Sequence, residues 1–262
     1  MIVKVLMLGD LVGRPGRKVI KAHLKELISE TGADFVVANG ENASGGAGLL
    51  EPSAKEIFEA GVDVITSGNH IWNKKDITGF ISNYPNILRP ANYPEMLPGS
   101  GSGVFKTKEG VEIGVINIMG RTFMAPIDSP FTAVEREILR LREKGARVIV
   151  VDFHAEATAE KEGMGFYLKD KIELLAGTHT HVQTSDEKIL DGRMGYITDL
   201  GRCGSFTSVL GFNESDSIRG FLTTVPQKFE PSKSDPVIEG MIAEIDAGTQ
   251  KCLSLKRIRK YC

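Results

Sequence analysis

The stretch IVKVLMLGDLVGRPGR, residues 2–17, contains the strand-and-helix unit on which the fold is built. Residues 2–9 are mostly apolar, as in a buried strand, and Asp10 follows directly. Pro15 marks the first turn of an amphipathic helix that we expect to run to about Ser29. A strand that leads into a helix is the repeating unit of α/β folds. Asp10 therefore stands at the carboxyl end of a strand, where such folds place their sites.

The following segments repeat this unit. DFVVANG (34–40) predicts a second strand, a short helix follows Pro52, and VDVITSGNH (62–70) predicts a third strand that runs into polar residues. This βαβαβ order predicts parallel strands joined by right-handed crossovers.

Antiparallel pairing is predicted from about residue 100 onward, because residues 102–119 read as two strands around a turn at 108–110. Further helices are predicted at 131–144, 156–170 and 214–220, further strands at 147–153, 172–176 and 195–200, and a closing hairpin at 239–261 around Gly248. No repeat, low-complexity tract or long linker divides the chain. We therefore expect one domain, residues 1–262, with an α/β sandwich of mixed β-sheets flanked by helices.

Composition restricts the function classes. Of the 262 residues 41% are apolar and 25% charged, and the formal net charge is −2. This balance argues against a stable complex with long nucleic acid or an anionic membrane, although a small nucleotide remains possible where metals supply positive charge. No run approaches the roughly 18 apolar residues of a membrane span, and MIVKVLMLGD is too short for a signal peptide. The three widely spaced cysteines fit a reduced, cytoplasmic compartment.

Chemically active side chains collect where the predicted strands end. They are Asp10, Glu41, Asn42, Asn69, His70, His154, His179 and His181, and they include four of the five histidines. Each has an ordinary alternative taken alone: Asp10 could cap a helix, Glu41 and Asn42 could be turn residues, and a single histidine could be a satisfied polar residue. A functional site would be absent only if every one of these alternatives were true at the same time.

The ligand types narrow the choice of metal. Imidazole suits zinc, iron, nickel and copper, whereas carboxylate and amide oxygens favour harder ions such as manganese. The mixed set fits iron or manganese, with zinc also possible, and it is too large for one tetrahedral ion. Two ions about 3.5–4 Å apart that share a carboxylate would clamp a phosphoryl group, with a hydroxide between them as nucleophile.

The order of Asp10, Gly68-Asn69-His70, His154 and Gly177-Thr-His-Thr-His181 resembles that of calcineurin-like metallophosphoesterases. The stretches GDLVGRPGR, ANGENASGGAGL, TSGNHIW, RPANYP, DFHAEATAEK, GTHTHVQTSDE and GYITDLGRCG resemble a narrower branch, the YmdB-like 2′,3′-cyclic-nucleotide 2′-phosphodiesterases, over most of the chain. The resemblance implies a calcineurin-like sandwich that hydrolyses 2′,3′-cyclic nucleotides, such as 2′,3′-cAMP, to 3′-nucleotides.

The resemblance also implies a role for each site residue. One metal would be held by Asp10, Asn42 and His181, the other by Asn69, His154 and His179, with Glu41 bridging the two. His70 would protonate the leaving oxygen. The family further implies iron or manganese as the metal and a homo-oligomer, a dimer or tetramer.

Several positions depart from the wider superfamily or have no assigned role. Asp10 lacks the histidine of the usual Asp-x-His motif, and Glu41-Asn42 replaces an aspartate bridge, but the YmdB-like branch shares both departures. Arg202 stands where that branch more often has Met, and we expect it to face solvent rather than phosphate. The loop at 121–130 is either a cover that contacts a base through Phe123 or only a connector. The SGGAG glycines at 44–48 are expected to let the chain bend beside Glu41, because a P-loop lysine is missing.

Other functions remain open at this point. A phosphomonoesterase, 5′-nucleotidase or nuclease could use the same centre, and a regulatory protein could bind a nucleotide without catalysis. An amidohydrolase barrel is disfavoured because its His-x-His pair usually follows the first strand, whereas here the pair comes late. His70, which is not needed as a ligand, favours an enzyme.

Overall fold

A computed structural model describes all 262 residues, in which strands and helices alternate. The α-helices are α1 (Gly13–Thr31), α2 (Glu51–Ala60), α3 (Ile77–Phe80), α4 (Pro130–Glu143), α5 (Thr158–Leu168) and α6 (Glu214–Thr223). The strands are β1 (Ile2–Leu8), β2 (Asp10–Leu11), β3 (Phe35–Asn39), β4 (Val64–Thr66), β5 (Ser102–Lys106), β6 (Glu112–Met119), β7 (Val148–His154), β8 (Leu174–Thr178), β9 (Lys188–Leu190), β10 (Met194–Ile197), β11 (Arg202–Ser205), β12 (Pro236–Asp246) and β13 (Lys251–Tyr261). Two short 3₁₀ turns cover Ile71–Asn73 and Ile81–Asn83.

The strands form two mixed sheets. In the first, β1, β3 and β4 are parallel, and β12 runs antiparallel between β1 and β13. Beyond the end of β1, the short strand β11 continues the pairing with β12 and lies parallel to β2. The second sheet has the order β5-β6-β7-β8-β10-β9, with four parallel central strands and antiparallel edges. The predicted parallel unit, the hairpin at 108–110 and the closing hairpin are thus confirmed.

The alternation of side chains in β1 explains the layers. Val3, Val5 and Met7 point into the core between the two sheets, which contains 21 buried apolar residues. Leu6 and Leu8 point the other way, into a core shared with α1 and α2. The outer face of the second sheet is covered in the same way by α4 and α5. The result is the mixed α/β sandwich that the sequence predicted.

The sequence missed the short strands β2, β9 and β11. They have few residues and no apolar pattern of their own: β2 and β11 pair with each other across distant parts of the chain, and β9 forms a short hairpin with β10. The predicted strand 172–176 is shifted to Leu174–Thr178, so it ends immediately before His179. None of the helices combines the length and the apolar character that a membrane crossing requires.

The layer arrangement brings five strand ends to one edge. β1, β3 and β4 of the first sheet lead into Asp10, Glu41 and Asn69, while β7 and β8 of the second sheet lead into His154 and His179. The backbone N–H of His179 donates to Asp10 Oδ2 at 3.1 Å, which joins the two sheets directly at this edge.

Candidate metal centre

His154 is the centre of the cluster. Its Nε2 atom lies 3.1 Å from Glu41 Oε1, 3.0 Å from Asn69 Oδ1 and 3.0 Å from His179 Nδ1. The ligand atoms of Glu41, His154 and His179 all lie within 4.8 Å of one another, and the first two residues are buried. Nitrogen and oxygen donors that converge this closely can surround a metal ion.

A second group of donors lies beside the first and contains oxygens that lack a partner. Asp10 Oδ1 is 3.7 Å from His181 Nε2 and 4.0 Å from His154 Nδ1, and it accepts no hydrogen bond. Asn42 Oδ1 is also buried without a partner, although its Nδ2 group donates to the Gly46 carbonyl at 3.0 Å. Such buried oxygens cost free energy unless something satisfies them. A cation coordinated by both would do so, and the residues therefore fit a metal.

The electrostatics of the cluster favour a bound cation. Burial works against ionisation of Glu41, but the charge of His154 and a hydrogen bond from it outweigh burial and lower the pKa of Glu41 to about 2. Burial alone would lower the pKa of His154, but the charge of Glu41, helped by that of Asp10, raises it to about 9. Burial raises the pKa of Asp10 well above its usual value, despite the attraction of His154. Ionisation of both buried carboxyl groups is therefore stabilised by positive charge at this point, which a divalent ion would supply.

The His-x-His pair lies in a strained loop rather than on a strand. His179 and His181 have φ values of 101° and 60°, in the left-handed region that non-glycine residues avoid. Strand alternation, which would place both rings on one face, therefore does not set their directions. Instead, Asp199 Oδ2 accepts hydrogen bonds from both the N–H and the hydroxyl of Thr180, at 3.1 and 2.7 Å, and fixes the loop between the two rings.

Hydrogen bonds set the orientation of the rings. His181 Nδ1 donates to the Leu210 carbonyl at 2.8 Å, which leaves the Nε2 lone pair on the side of Asp10. The Thr178 hydroxyl donates to Asp152 at 2.6 Å, so at 2.9 Å from His154 Nδ1 it can only accept the proton of that nitrogen. When a cation takes the place of the proton that the carboxylates otherwise hold on His154, the neutral ring therefore presents its unprotonated Nε2 to the cluster.

Some supporting residues were missed by the sequence reasoning. Asp152 is buried and accepts hydrogen bonds from Asn39, Thr66 and Thr178, while the Asn39 side chain accepts the Glu41 N–H at 3.1 Å. Glu156 Oε2 lies 3.1 Å from His179 Nε2. The signal that could have revealed Asn39 and Asp152 is a polar residue inside an otherwise apolar strand.

His70 lies at the rim of the cluster. Its backbone N–H donates to Glu41 Oε2 at 2.9 Å, and its Nδ1 is 3.0 Å from Asn73 Nδ2. The half-buried ring lines a cavity of about 510 Å³ together with His179 and His181. This size falls within the range of small-molecule sites. The remaining wall comes from the glycine loop and its neighbours and from one later segment; its residues are Glu41, Asn42, Gly45, Gly46, Ala47, Lys74, Leu210, Phe212, Lys228 and Phe229.

Arg202 does not face solvent, contrary to the expectation. It is 7% exposed, and its guanidinium donates to the carbonyls of His181 at 2.7 Å, Phe206 at 2.7 Å and Ser205 at 3.0 Å. Burial is compensated because two carbonyl oxygens from the segment that follows Arg202 and one from His181, 21 residues earlier, converge on one side chain. Arg202 therefore fixes the backbone that carries His181.

The two loops singled out in the sequence have different outcomes. Phe123 is 89% exposed, and no residue of 121–130 lines the cavity, so this loop is a connector; its first N–H groups are held by Glu160. Gly45, Gly46 and Gly48 all have positive φ, which confirms that the glycines permit the bend beside Glu41 and Asn42.

Comparisons with known proteins identify the family. The profile of the family described as YmdB-like protein matches residues 6–258. A protein of Bacillus subtilis named 2′,3′-cyclic-nucleotide 2′-phosphodiesterase is 40% identical over 98% of this chain and 96% of its own length. The crystal structure of a novel phosphatase from Mycoplasma pneumoniae is 35% identical, with a TM-score of 0.92 over 100% of this chain and 94% of that one.

A more distant structure supports the fold alone. The 5′-nucleotidase precursor of Thermus thermophilus is 12% identical, with a TM-score of 0.58 over 100% of this chain and 54% of that one. The mixed α/β sandwich is confirmed by these structures, and the phosphatase and phosphodiesterase names of the relatives fit a donor set that could hold a metal. The chain belongs to the YmdB-like protein family of phosphatases and phosphodiesterases.

Proposed function

We propose that this protein is a two-metal phosphodiesterase that hydrolyses 2′,3′-cyclic nucleotides, such as 2′,3′-cAMP, to 3′-nucleotides. The observation that carries the proposal is the convergence of the buried Glu41 and His154 with the half-buried His179, beside a nucleotide-sized cavity that His70 lines. The choice of substrate is supported by the name of the 40% identical relative.

The donor set divides into two groups that suit two ions. Asp10, Asn42 and His181 would hold one, and Asn69, His154 and His179 the other, with Glu41 shared between them. The unpartnered oxygens of Asp10 and Asn42 and the approach of Asn69 and His179 to His154 support this division. Iron suits the mixture of imidazole and oxygen ligands, with manganese or zinc as alternatives. Bound ions would polarise the phosphoryl oxygens and lower the pKa of water towards neutrality.

His70 is the proposed proton donor. The Asn73 amide meets the ring at Nδ1, so Nε2 is the nitrogen that remains free to give a proton to substrate when the ring is protonated. The hydrogen bond from the His70 backbone to Glu41 keeps this residue next to the centre without using its ring as a ligand. The oxygen of water bonds to phosphorus, the bond from phosphorus to O2′ breaks, and protonated His70 gives O2′ its proton. One proton of the water stays on the new phosphate oxygen, and the other passes to solvent, from which His70 is protonated again.

A phosphomonoesterase on the same centre is the second candidate, because the 35% identical structure is described as a phosphatase. A nucleotide-binding regulator without catalysis is the third. The test is to purify the protein without chelator, measure bound metals by elemental analysis, and follow 2′,3′-cAMP, 3′-AMP and para-nitrophenyl phosphate.

We expect two metal ions per chain and conversion of 2′,3′-cAMP to 3′-AMP that stops when the metal is removed by EDTA. Faster release of phosphate from 3′-AMP than opening of the cyclic diester would favour the phosphomonoesterase instead. Nucleotide binding without turnover by the metal-loaded protein would overturn the enzymatic proposal.

A further inference from the structure

Three adjoining cavities form a basic track that leads away from the metal centre. The metal-side cavity, described above, shares Gly45, Lys74, Lys228 and Phe229 with a middle cavity of about 400 Å³. The middle cavity in turn shares Arg14, Pro15 and Lys233 with a helix-side cavity of about 360 Å³ beside α1. Because neighbouring cavities have lining residues in common, the three form one continuous surface path.

The track carries positive charge that the protein does not neutralise. Four of its cations form no ion pair within the chain: Arg14, Lys18, Lys74 and Lys233. The acidic residues that line the track are Glu41, which belongs to the metal centre, and Glu230, which is 3.5 Å from Lys228. The helix-side cavity has no acidic lining residue. The chain as a whole has a net charge of −2, so this is a local concentration of positive charge rather than a general excess.

We propose that the natural substrate is a short RNA strand that ends in a 2′,3′-cyclic phosphate, with its upstream phosphates along this track. The inference rests on the proposed function. A 2′,3′-cyclic nucleotide in the metal-side cavity has one position from which a chain can continue, its 5′ oxygen. The phosphodiesters that follow would lie against Lys74 and Lys228, and then against Arg14 and Lys233.

Aromatic side chains beside the metal-side cavity favour RNA over a simple polyanion as the ligand of the track. Phe229 lines both the metal-side and the middle cavity and is 45% exposed, and Phe212 lies beside it with its ring centroid 6.1 Å away. Aromatic side chains next to a basic groove are the usual means of holding single strands, because any base can stack on them. A polyphosphate or an acidic peptide would use the cations but not the rings.

The reaction at the strand end is the one already proposed. Water adds its oxygen to the terminal phosphorus, the bond to O2′ breaks, and the proton passes to O2′, which leaves the RNA with a 3′-phosphate. A track with so few cations contacts only a few phosphates, so the absence of a stable complex with long nucleic acid is still expected.

The test compares the metal-loaded protein on 2′,3′-cAMP and on a tetra-adenylate whose 3′ end is a 2′,3′-cyclic phosphate. We expect kcat/KM to be about tenfold or more higher for the tetranucleotide at about 50 mM KCl. Between about 50 and 200 mM KCl, log(kcat/KM) for the tetranucleotide should fall with log[KCl] at a slope of about −2, as expected for three phosphates of a single strand. The slope for 2′,3′-cAMP should be much shallower.

Charge reversal separates the track from the metal centre. Lys18→Glu and Lys233→Glu lie outside the metal-side cavity, so we expect them to leave turnover of 2′,3′-cAMP unchanged. Each should lower kcat/KM for the tetranucleotide and reduce its salt slope by about 0.7 for each phosphate that the variant no longer binds. Lys108→Glu, an equal charge change on the exposed turn between β5 and β6, is the matched control and should affect neither substrate.

The outcomes distinguish the two proposals. Failure of the metal-loaded protein to open 2′,3′-cAMP and the tetranucleotide alike would overturn the proposed function. Turnover of 2′,3′-cAMP with no preference for the tetranucleotide, or equal reductions by Lys18→Glu and Lys108→Glu, would overturn the RNA substrate alone. Equal inhibition of both substrates by inorganic polyphosphate, without a tetranucleotide preference, would assign the track to a different anion.

Discussion

His70 differs from the other three histidines at the strand ends. His154, His179 and His181 each have a ring nitrogen within 4.0 Å of a carboxylate, whereas the His70 ring meets only the Asn73 amide. A ring that is not held by the carboxylates is available to exchange a proton with substrate.

We expect His70→Ala to retain its metal and lose turnover. Its ring is not in the proposed ligand set, and general acid catalysis typically contributes about 10²–10⁴-fold. The loss should appear in kcat for 2′,3′-cAMP, with metal content by elemental analysis as the control. Turnover equal to that of the wild type would remove His70 from the mechanism.

Gly68 is packed against the cluster itself. A Cβ atom there would lie 2.1 Å from His154 Cδ2 and 2.5 Å from Glu41 Oε2, so any side chain displaces both residues. We expect Gly68→Ala to lower metal content and activity together while the circular dichroism spectrum stays that of the wild type.

Gly79 is the matched control for that substitution. It lies in α3 and does not have a positive φ, and a methyl group added there would have no neighbour within 4 Å. Gly79→Ala should therefore keep full metal content and raise helix stability by up to about 1 kcal/mol. Equal metal loss in the two variants would contradict the packing explanation for Gly68.

Helix α5 is tied to the histidine loop by a buried ion pair. Lys161 Nζ lies 2.7 Å from Asp199 Oδ2, and both side chains are almost fully buried. The same Asp199 oxygen accepts the two hydrogen bonds from Thr180, between the two histidines. Helix α5 thus supplies the cation that pairs with Asp199, and Asp199 in turn fixes the loop that carries the two histidines.

We expect Lys161→Met to lower the free energy of unfolding by about 3–5 kcal/mol, because Asp199 is left as an uncompensated buried charge. Lys169→Met, which removes the exposed pair of Lys169 with Asp191 at the end of the same helix, should cost about 1 kcal/mol or less. Urea unfolding monitored by circular dichroism measures both. Similar midpoints and slopes for the two variants would show that the buried pair does not stabilise the fold.

The whole molecule presents an apolar face on α6 and the turn after it. Phe221 and Leu222 are 81% and 80% exposed, and Ile218 and Val225 are 52% and 57% exposed. Clustered apolar side chains of this size are typical of protein contact surfaces. Together with the family resemblance, they support the expectation of a homo-oligomer.

We expect sedimentation velocity to show a dimer or tetramer, and the double substitution Phe221→Asp with Leu222→Asp to shift it to a smaller species with unchanged circular dichroism. Phe166→Asp, which changes an exposed apolar residue of α5, is the control and should leave the assembly intact. A wild-type protein that sediments as a monomer at all concentrations would contradict the expectation.

Local patterns in the chain were sufficient to predict most of the fold. The parallel unit and the mixed sheets were indicated by the apolar runs of β1, β3, β6 and β7 and by the amphipathic helices between them. The apolar pattern of such an element shows which of its faces is buried, without knowledge of the segments that pack against it. Asp10, Glu41, Asn69 and His154 were predicted to meet, since the carboxyl ends of parallel strands share an edge.

Long-range contacts fixed the rest, and no local pattern records them. The ring positions of His179 and His181 follow from left-handed backbone held by Asp199 and Arg202, rather than from strand periodicity. The basic track joins α1 to residues some two hundred positions later, so its continuity exists only after folding. The sequence thus determines which side chains lie at the carboxyl ends of the strands, whereas the packing of distant segments decides which atoms of those side chains remain free to bind a metal or a substrate.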